Sequence, residues 1–170
     1  MKQRNCLIFF ASLLSSLTFN ASTFGQELTA AERALIEAEA QRHVEYYYDL
    51  YYERNPEALA TEVFTIPWYI MGGNGIIAYS TEQENLQYFS SAIQGLLERG
   101  WDKSTFRTAN VCVLGAGSAI VSGTNTRSRA DGSIMSVGGV SYILGTTDAG
   151  WRIISFSSHS PDKVVRCAEE

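Results

Sequence analysis

Residues 104–158 constrain the fold most, because three turn signals cut this β-rich stretch into four strands, expected at 105–114, 119–129, 133–145 and 151–158. The connections are Gly115-Ala116-Gly117-Ser118, Ala130-Asp131-Gly132 and Thr147-Asp148-Ala149-Gly150. A parallel crossover needs about a dozen residues or more, so connections this short make consecutive strands antiparallel neighbours.

The preceding chain reads as helices that cover such a sheet. Thr29-Ala30-Ala31-Glu32 is a capping box. Ile36, Ala40, Val44, Tyr47 or Tyr48, and Tyr51 then recur at helical spacing, which predicts one long amphipathic helix to about Tyr52. Its last turns carry Tyr46, Tyr47, Tyr48, Tyr51 and Tyr52, and these cannot all share a face. At about 100° per residue, Tyr47, Tyr48 and Tyr51 turn toward the core and Tyr46 away from it. Asn55-Pro56 starts a short helix through Ala60, with asparagine as cap and proline at the first helical position. Residues 65–71 are apolar and aromatic, a strand that Pro67 places at a sheet edge, since proline donates no ladder hydrogen bond. Gly72-Gly73-Asn74-Gly75 turns it into a return strand at 76–79. A second capping box, Thr81-Glu82-Gln83-Glu84, opens a helix through Leu86, Phe89, Ile93, Leu96 and Leu97 that stops at Gly100. Six strands, mostly antiparallel, with helices segregated to one face make an α+β domain.

Residues 1–25 stand apart from this pattern. Lys2 and Arg4 precede a mainly apolar run at 6–19, and Ala21, Ser22, Thr23 and Gly25 follow. This is the layout of a secretory signal peptide, and the run is short for a membrane span. The expected organisation is a signal peptide at 1–25, a domain at 26–160 and a tail at 161–170, exported to a periplasmic or extracellular location, with no membrane span after cleavage. Cleavage removes two of 13 basic residues and none of 18 acidic ones, so 11 against 18 leaves a formal charge of −7. A domain this acidic lacks the electrostatic footprint for nucleic acid or an anionic membrane. Cys112 and Cys167 survive in a compartment that permits disulfides. Sequence gives no means of bringing them together, and the reading favours two separate thiols, Cys112 packed and Cys167 in a frayed tail.

The order of elements, with the Asn55-Pro56 short helix and the closing Gly150-Trp151-Arg152-Ile153, resembles the nuclear transport factor 2-like superfamily, in particular its SnoaL-like and ketosteroid isomerase-like branches. The resemblance covers residues 29–158. It implies a cone, a curved six-stranded sheet wrapped around the long N-terminal helix with two further helices, and a pocket at the open end. It also implies a homodimer through the sheet's outer face. Isomerases, dehydratases, cyclases, binding proteins and partner-association domains share this fold, so chemistry has to come from the residues.

Isomerases of that kind use carboxyl groups in or beside the sheet, one to take a proton and one, kept neutral by burial, to stabilise an oxyanion. None of the six expected strands contains Asp or Glu. Asp131 and Asp148 sit in turns. Glu45 and Asp49 share a helix face that the apolar stripe makes the outer one. His43 lies at the margin of the stripe. His159 ends the last strand, and alternation places it beside Trp151, Ile153, Ser155 and Ser157. Some relatives carry a pocket histidine where this chain has Ser155 or Ser157. Arg127 and Arg129 share a strand face that could hold an anion, although their place beside the Asp131-Gly132 turn favours a solvated outer face. Trp151 is expected in the core and Arg152 exposed opposite it. No cofactor signature is present, and no metal-ligand spacing.

The residues left to line a pocket are aromatic and neutral: Tyr47, Tyr48, Tyr51, Trp68, Tyr88, Asn110, Tyr142 and Ser155. Such a wall suits a small apolar, planar or cyclic ligand. The residues therefore lean away from catalysis, toward an exported small-molecule-binding domain. Two other readings stand beside it: a lyase or isomerase that uses Tyr with His159 or Asp49, and a non-catalytic dimerisation or partner-binding module whose interior is filled by its own side chains.

Overall fold

The structure is a computed structural model that describes residues 27–73 and 75–167. The expected signal segment, residues 1–25, lies outside the described residues. Helix α1 spans Ala30–Tyr52, α2 is the short Pro56–Ala58, and α3 spans Glu82–Leu97. Both expected capping boxes are formed, each threonine hydroxyl accepting from the backbone three residues on and each glutamate reaching back to the cap. These pairs satisfy helix-end amides that would otherwise have no partner. The Asn55 side chain caps α2, which passes into a single π-helical turn, Leu59–Val63, in place of a plain helix through Ala60. No described helix is long and apolar enough to cross a membrane.

The strands are β1 (Phe64–Gly72), β2 (Gly75–Tyr79), β3 (Lys103–Gly115), β4 (Ser118–Ser128), β5 (Ile134–Thr147) and β6 (Gly150–His159). They form one sheet in the order β2-β1-β6-β5-β4-β3, antiparallel except where β1 runs parallel to β6. The four strands from β3 to β6 are the expected meander. Pro67, by contrast, does not mark an edge, because β1 lies between β2 and β6. The ladders explain its presence. Pairing with β6 breaks between Phe64 and Tyr69, and pairing with β2 begins at Trp68, so Pro67 falls where neither neighbour asks for its amide.

The inner face of the sheet packs on α1 and α3 through one aromatic cluster. Trp68 is fully buried and stacks on Tyr79, with ring centres 4.8 Å apart, and on Phe89 at 5.7 Å. Its indole N–H donates to the Asn85 carbonyl oxygen, and the Asn85 amide donates to the Ala60 carbonyl at 3.2 Å. Asn85 is thus a polar strut in an apolar core, joining α3, β1 and the π turn with each of its bonds satisfied.

On the outer face the chain end lies across the sheet. Cys112 and Cys167 form a disulfide, with Cα atoms 5.6 Å apart. This corrects the expectation of two separate thiols. The correction has a cause that no spacing reveals: after β6 the chain turns back over β5 and β4 to reach β3. The Val165 amide donates to Ser122 Oγ at 3.0 Å, and the Asn110 amide points at both sulfurs, 3.0 and 3.2 Å away. Gly139 makes room for this path, because a Cβ there would stand 2.2 Å from the His159 ring.

Candidate functional site

Alternation along the strands, corrected for bulges, decides what faces inward. In β6 the register skips Ile154: Leu144 pairs with Ile153, and Ile143 with Ser155. One extra residue reverses every side chain after it. Phe156 therefore faces inward beside Tyr142, their rings 5.9 Å apart, while Ser155, Ser157 and His159 face outward. The expected grouping of Trp151, Ile153, Ser155, Ser157 and His159 on one side fails at that bulge. Trp151 is half-buried rather than core, and its indole N–H donates to Glu39 on α1 at 3.0 Å.

Of the residues singled out in the sequence, the structure brings together Tyr47, Tyr48, Tyr51, Trp68, Tyr88 and Tyr142 on the inner side. Tyr47 meets Tyr51 edge-on at 5.1 Å, Tyr48 stacks on Phe106 at 5.2 Å, and the hydroxyls of Tyr48 and Tyr142 are 2.7 Å apart. Burial pushes the phenols up: Tyr51 to about 12, opposed by its hydrogen bond to Tyr47 and by the charge of Arg127. Tyr47, Tyr48, Tyr88 and Tyr142 are raised as well, again chiefly through burial. These groups keep their protons at any ordinary pH, so they act as hydrogen-bond donors and acceptors and not as bases.

Asn110 and Ser155 do not join them. Both lie on the outer face, Asn110 against the disulfide and Ser155 opposite Ile143. Nor are the two candidate acid/base groups brought to the tyrosines. Asp49 is exposed on α1, with Glu45 one turn before it. His159 belongs to a polar chain under the tail: its Nε2 is 2.9 Å from Ser141 Oγ, which is 2.7 Å from Ser122 Oγ, and its Nδ1 is 2.8 Å from the Ser160 carbonyl. The Ser160 carbonyl can only accept, so Nδ1 carries the proton that faces it; in the neutral ring Nε2 then accepts from Ser141, whose oxygen accepts from Ser122. His159 positions the tail.

Sequence reasoning missed the strongest polar feature of the inner face. Ala119, Val121, Gly123, Asn125 and Arg127 lie on the same side of β4, and Ala119 and Val121 are fully buried. Arg127 therefore points inward, toward Tyr48, Tyr51, Tyr88 and Tyr142, whose phenols feel its charge. This overturns the solvated outer placement, which leaned on the nearby turn; counting by twos from Val121 gives the correct side. Asn125 Oδ1 and Arg127 Nε are buried without a hydrogen-bond partner among the described residues. A cleft of about 190 Å³ runs between α3 and β4, with Tyr51, Tyr88, Ala92, Leu96, Arg99 and Arg127 among its walls. Larger grooves of about 650 and 550 Å³ flank α1, but Glu37, Gln41 and Glu45 in one and Glu39 and Arg42 in the other are side chains of its solvated faces. Among the described residues no three His, Cys, Asp or Glu gather as a metal site.

A six-stranded sheet closed over a long helix, with an aromatic inner face and a cleft at one end, defines the NTF2-like class of domains. Within it the chain belongs to the family described as NTF2-like protein (DUF6841), whose pattern matches residues 37–161. Among solved structures, the chain is similar to an NTF2-like protein with a cystatin-like fold from Novosphingobium aromaticivorans, at 19% identity and a TM-score of 0.63, covering 79% of this chain and 88% of that one. It is also similar to an NTF2-like superfamily protein from Salmonella enterica, at 15% identity and a TM-score of 0.56, covering 81% and 99%. A ketosteroid isomerase-like protein from Erwinia carotovora atroseptica matches at 14% identity and a TM-score of 0.52, covering 77% and 97%. Identities this low carry the fold alone. No curated protein matches the chain.

Proposed function

We propose that this is an exported domain that binds a small, largely apolar molecule at the tyrosine-lined inner face of its sheet, without strong acid/base chemistry. The observation that carries the reading is the chemistry of that face. None of the six strands contributes a carboxylate, and the buried phenols are held protonated. Aromatic walls with a few converging polar groups orient a ligand, while a proton-transfer enzyme needs a group that titrates near its working pH. Export rests on the signal-like N-terminal segment and fits a domain that carries a disulfide.

The test is native mass spectrometry on protein purified from its own export compartment, followed by solvent release of any bound compound. A recovered small molecule that raises the thermal midpoint when added back supports the proposal. Ligand-free protein whose midpoint is unmoved by a panel of cyclic ketones, alcohols and carboxylates overturns it in favour of a partner-binding module. Turnover of a panel ketone that disappears in Asp49→Asn or His159→Gln would establish the lyase or isomerase reading instead.

A further inference from the structure

We infer that the mouth of the cone is a carboxylate site, in which Arg127 takes the acid group of a single-ring ligand and Asn125 Oδ1 accepts from a hydroxyl or amine on the same ring. The inference rests on the proposed ligand-binding function and names the ligand's chemistry.

Two buried polar atoms on one strand face have no partner among the described residues, one a donor and one an acceptor. Asn125 is only 9% exposed. Buried polar groups in folded proteins are almost always paired, so two orphans side by side mark where something else supplies the partners. Two residues of strand set their Cα atoms about 7 Å apart, on one face, so that both side chains reach toward one ring-sized ligand. They do not satisfy each other, although their chemistry is complementary.

Space is available where it is needed. Gly138 on β5 pairs with Asn125 and faces the same way, and a Cβ added there would meet nothing within 4 Å. The cleft that Arg127 lines measures about 190 Å³, and a cavity of ~150 Å³ already takes a benzene-sized ring. The charge of the cleft selects the sign of the ligand. Its walls include Arg99 and Arg127 and no Asp or Glu, and its tyrosines are neutral donors. An arginine beside apolar walls, with water partly excluded, prefers an ionised acceptor to a neutral one. The ring fills the aromatic end, the carboxylate meets Arg127, and a ring substituent reaches Asn125.

The experiment is calorimetric titration of the mature full chain with benzoate, benzamide and 3-hydroxybenzoate. Benzoate is expected to bind about tenfold or more tighter than benzamide. Arg127→Met is expected to erase that preference, and Asn125→Leu to remove any advantage of 3-hydroxybenzoate over benzoate while leaving benzoate itself bound. Gly138→Leu keeps both polar groups and is expected to block all three rings by filling the space opposite Asn125. Circular dichroism checks that each variant folds; should Arg127→Met not fold, Arg127→Gln, which keeps a hydrogen-bond donor and loses the charge, is read for the same loss of preference. Benzamide binding as tightly as benzoate, or benzoate affinity unchanged in the folded Arg127 variant, overturns the inference. Inorganic phosphate displacing benzoate at lower concentration than benzoate itself requires also overturns it. If no ring binds but the purified protein yields a different small molecule, this inference falls and the proposed function stands; if neither occurs, both fall.

Discussion

His43 sits on α1 with one edge against the π turn, its Nε2–H donating to the Val63 carbonyl at 2.9 Å. Its affinity for a proton is lowered, above all by burial; the nearby charge of Arg152 adds to the effect and the hydrogen bond to Val63 opposes it. A base that binds its proton less readily when folded stabilises the fold in its neutral form. The unfolded chain takes up more protons at mildly acidic pH, so stability is full above the ordinary histidine value of about 6.5 and declines as pH falls through it toward the lowered folded value. His43→Gln keeps a donor for Val63 and cannot titrate. Urea unfolding of the two proteins between about pH 7.5 and pH 5 is expected to show a steeper loss for the native sequence. Parallel curves would mean that burial of His43 contributes nothing to acid sensitivity.

At the scale of elements, the tail is the part whose structure depends least on local sequence. Residues 160–167 cross three strands with few backbone bonds of their own, and they are held by the Ser122 contact and by the bridge to Cys112. Ordering eight residues costs on the order of 1–2 kcal/mol each, while a net hydrogen bond returns about 1 kcal/mol, so the polar contacts alone do not hold the segment in place. The covalent bond to Cys112 tethers its far end. It closes a separation of 55 residues, for which the chain-entropy model gives an upper figure of ~4 kcal/mol. Replacing both cysteines by serine is expected to lower unfolding free energy by about 2–4 kcal/mol. Hydrogen exchange in the variant should quicken first in the C-terminal peptide and leave α1 protected. Uniform loss of protection across the chain would show that the bridge staples the whole fold rather than the tail.

For the molecule as a whole, what could be read in advance was what local chemistry dictates. Capping boxes fixed both long helices, and short glycine turns fixed the antiparallel neighbours of the meander. Facing direction was legible only while the period of two held. One extra residue at Ile154 moved Ser155 and His159 to the other side, and a nearby turn disguised the inward course of Arg127. Pro67 misled because an edge and a gap between two ladders make the same demand on an amide. The disulfide depended on a path across three strands that no spacing encodes. That path bears on assembly, because the tail lies on the same outer face through which the family resemblance implies a homodimer. Tyr69 is 36%, Val137 47% and Leu114 61% exposed on that face, so apolar surface remains there for a partner. A second copy using the middle of the face would have to displace the tail. The oxidised mature protein is therefore expected to sediment as a monomer, and a Cys112→Ser chain ending at Ser160 to shift toward a dimer as concentration rises. A dimer already present with the disulfide intact would place the contact away from the tail, on the rim of the sheet or on the helices.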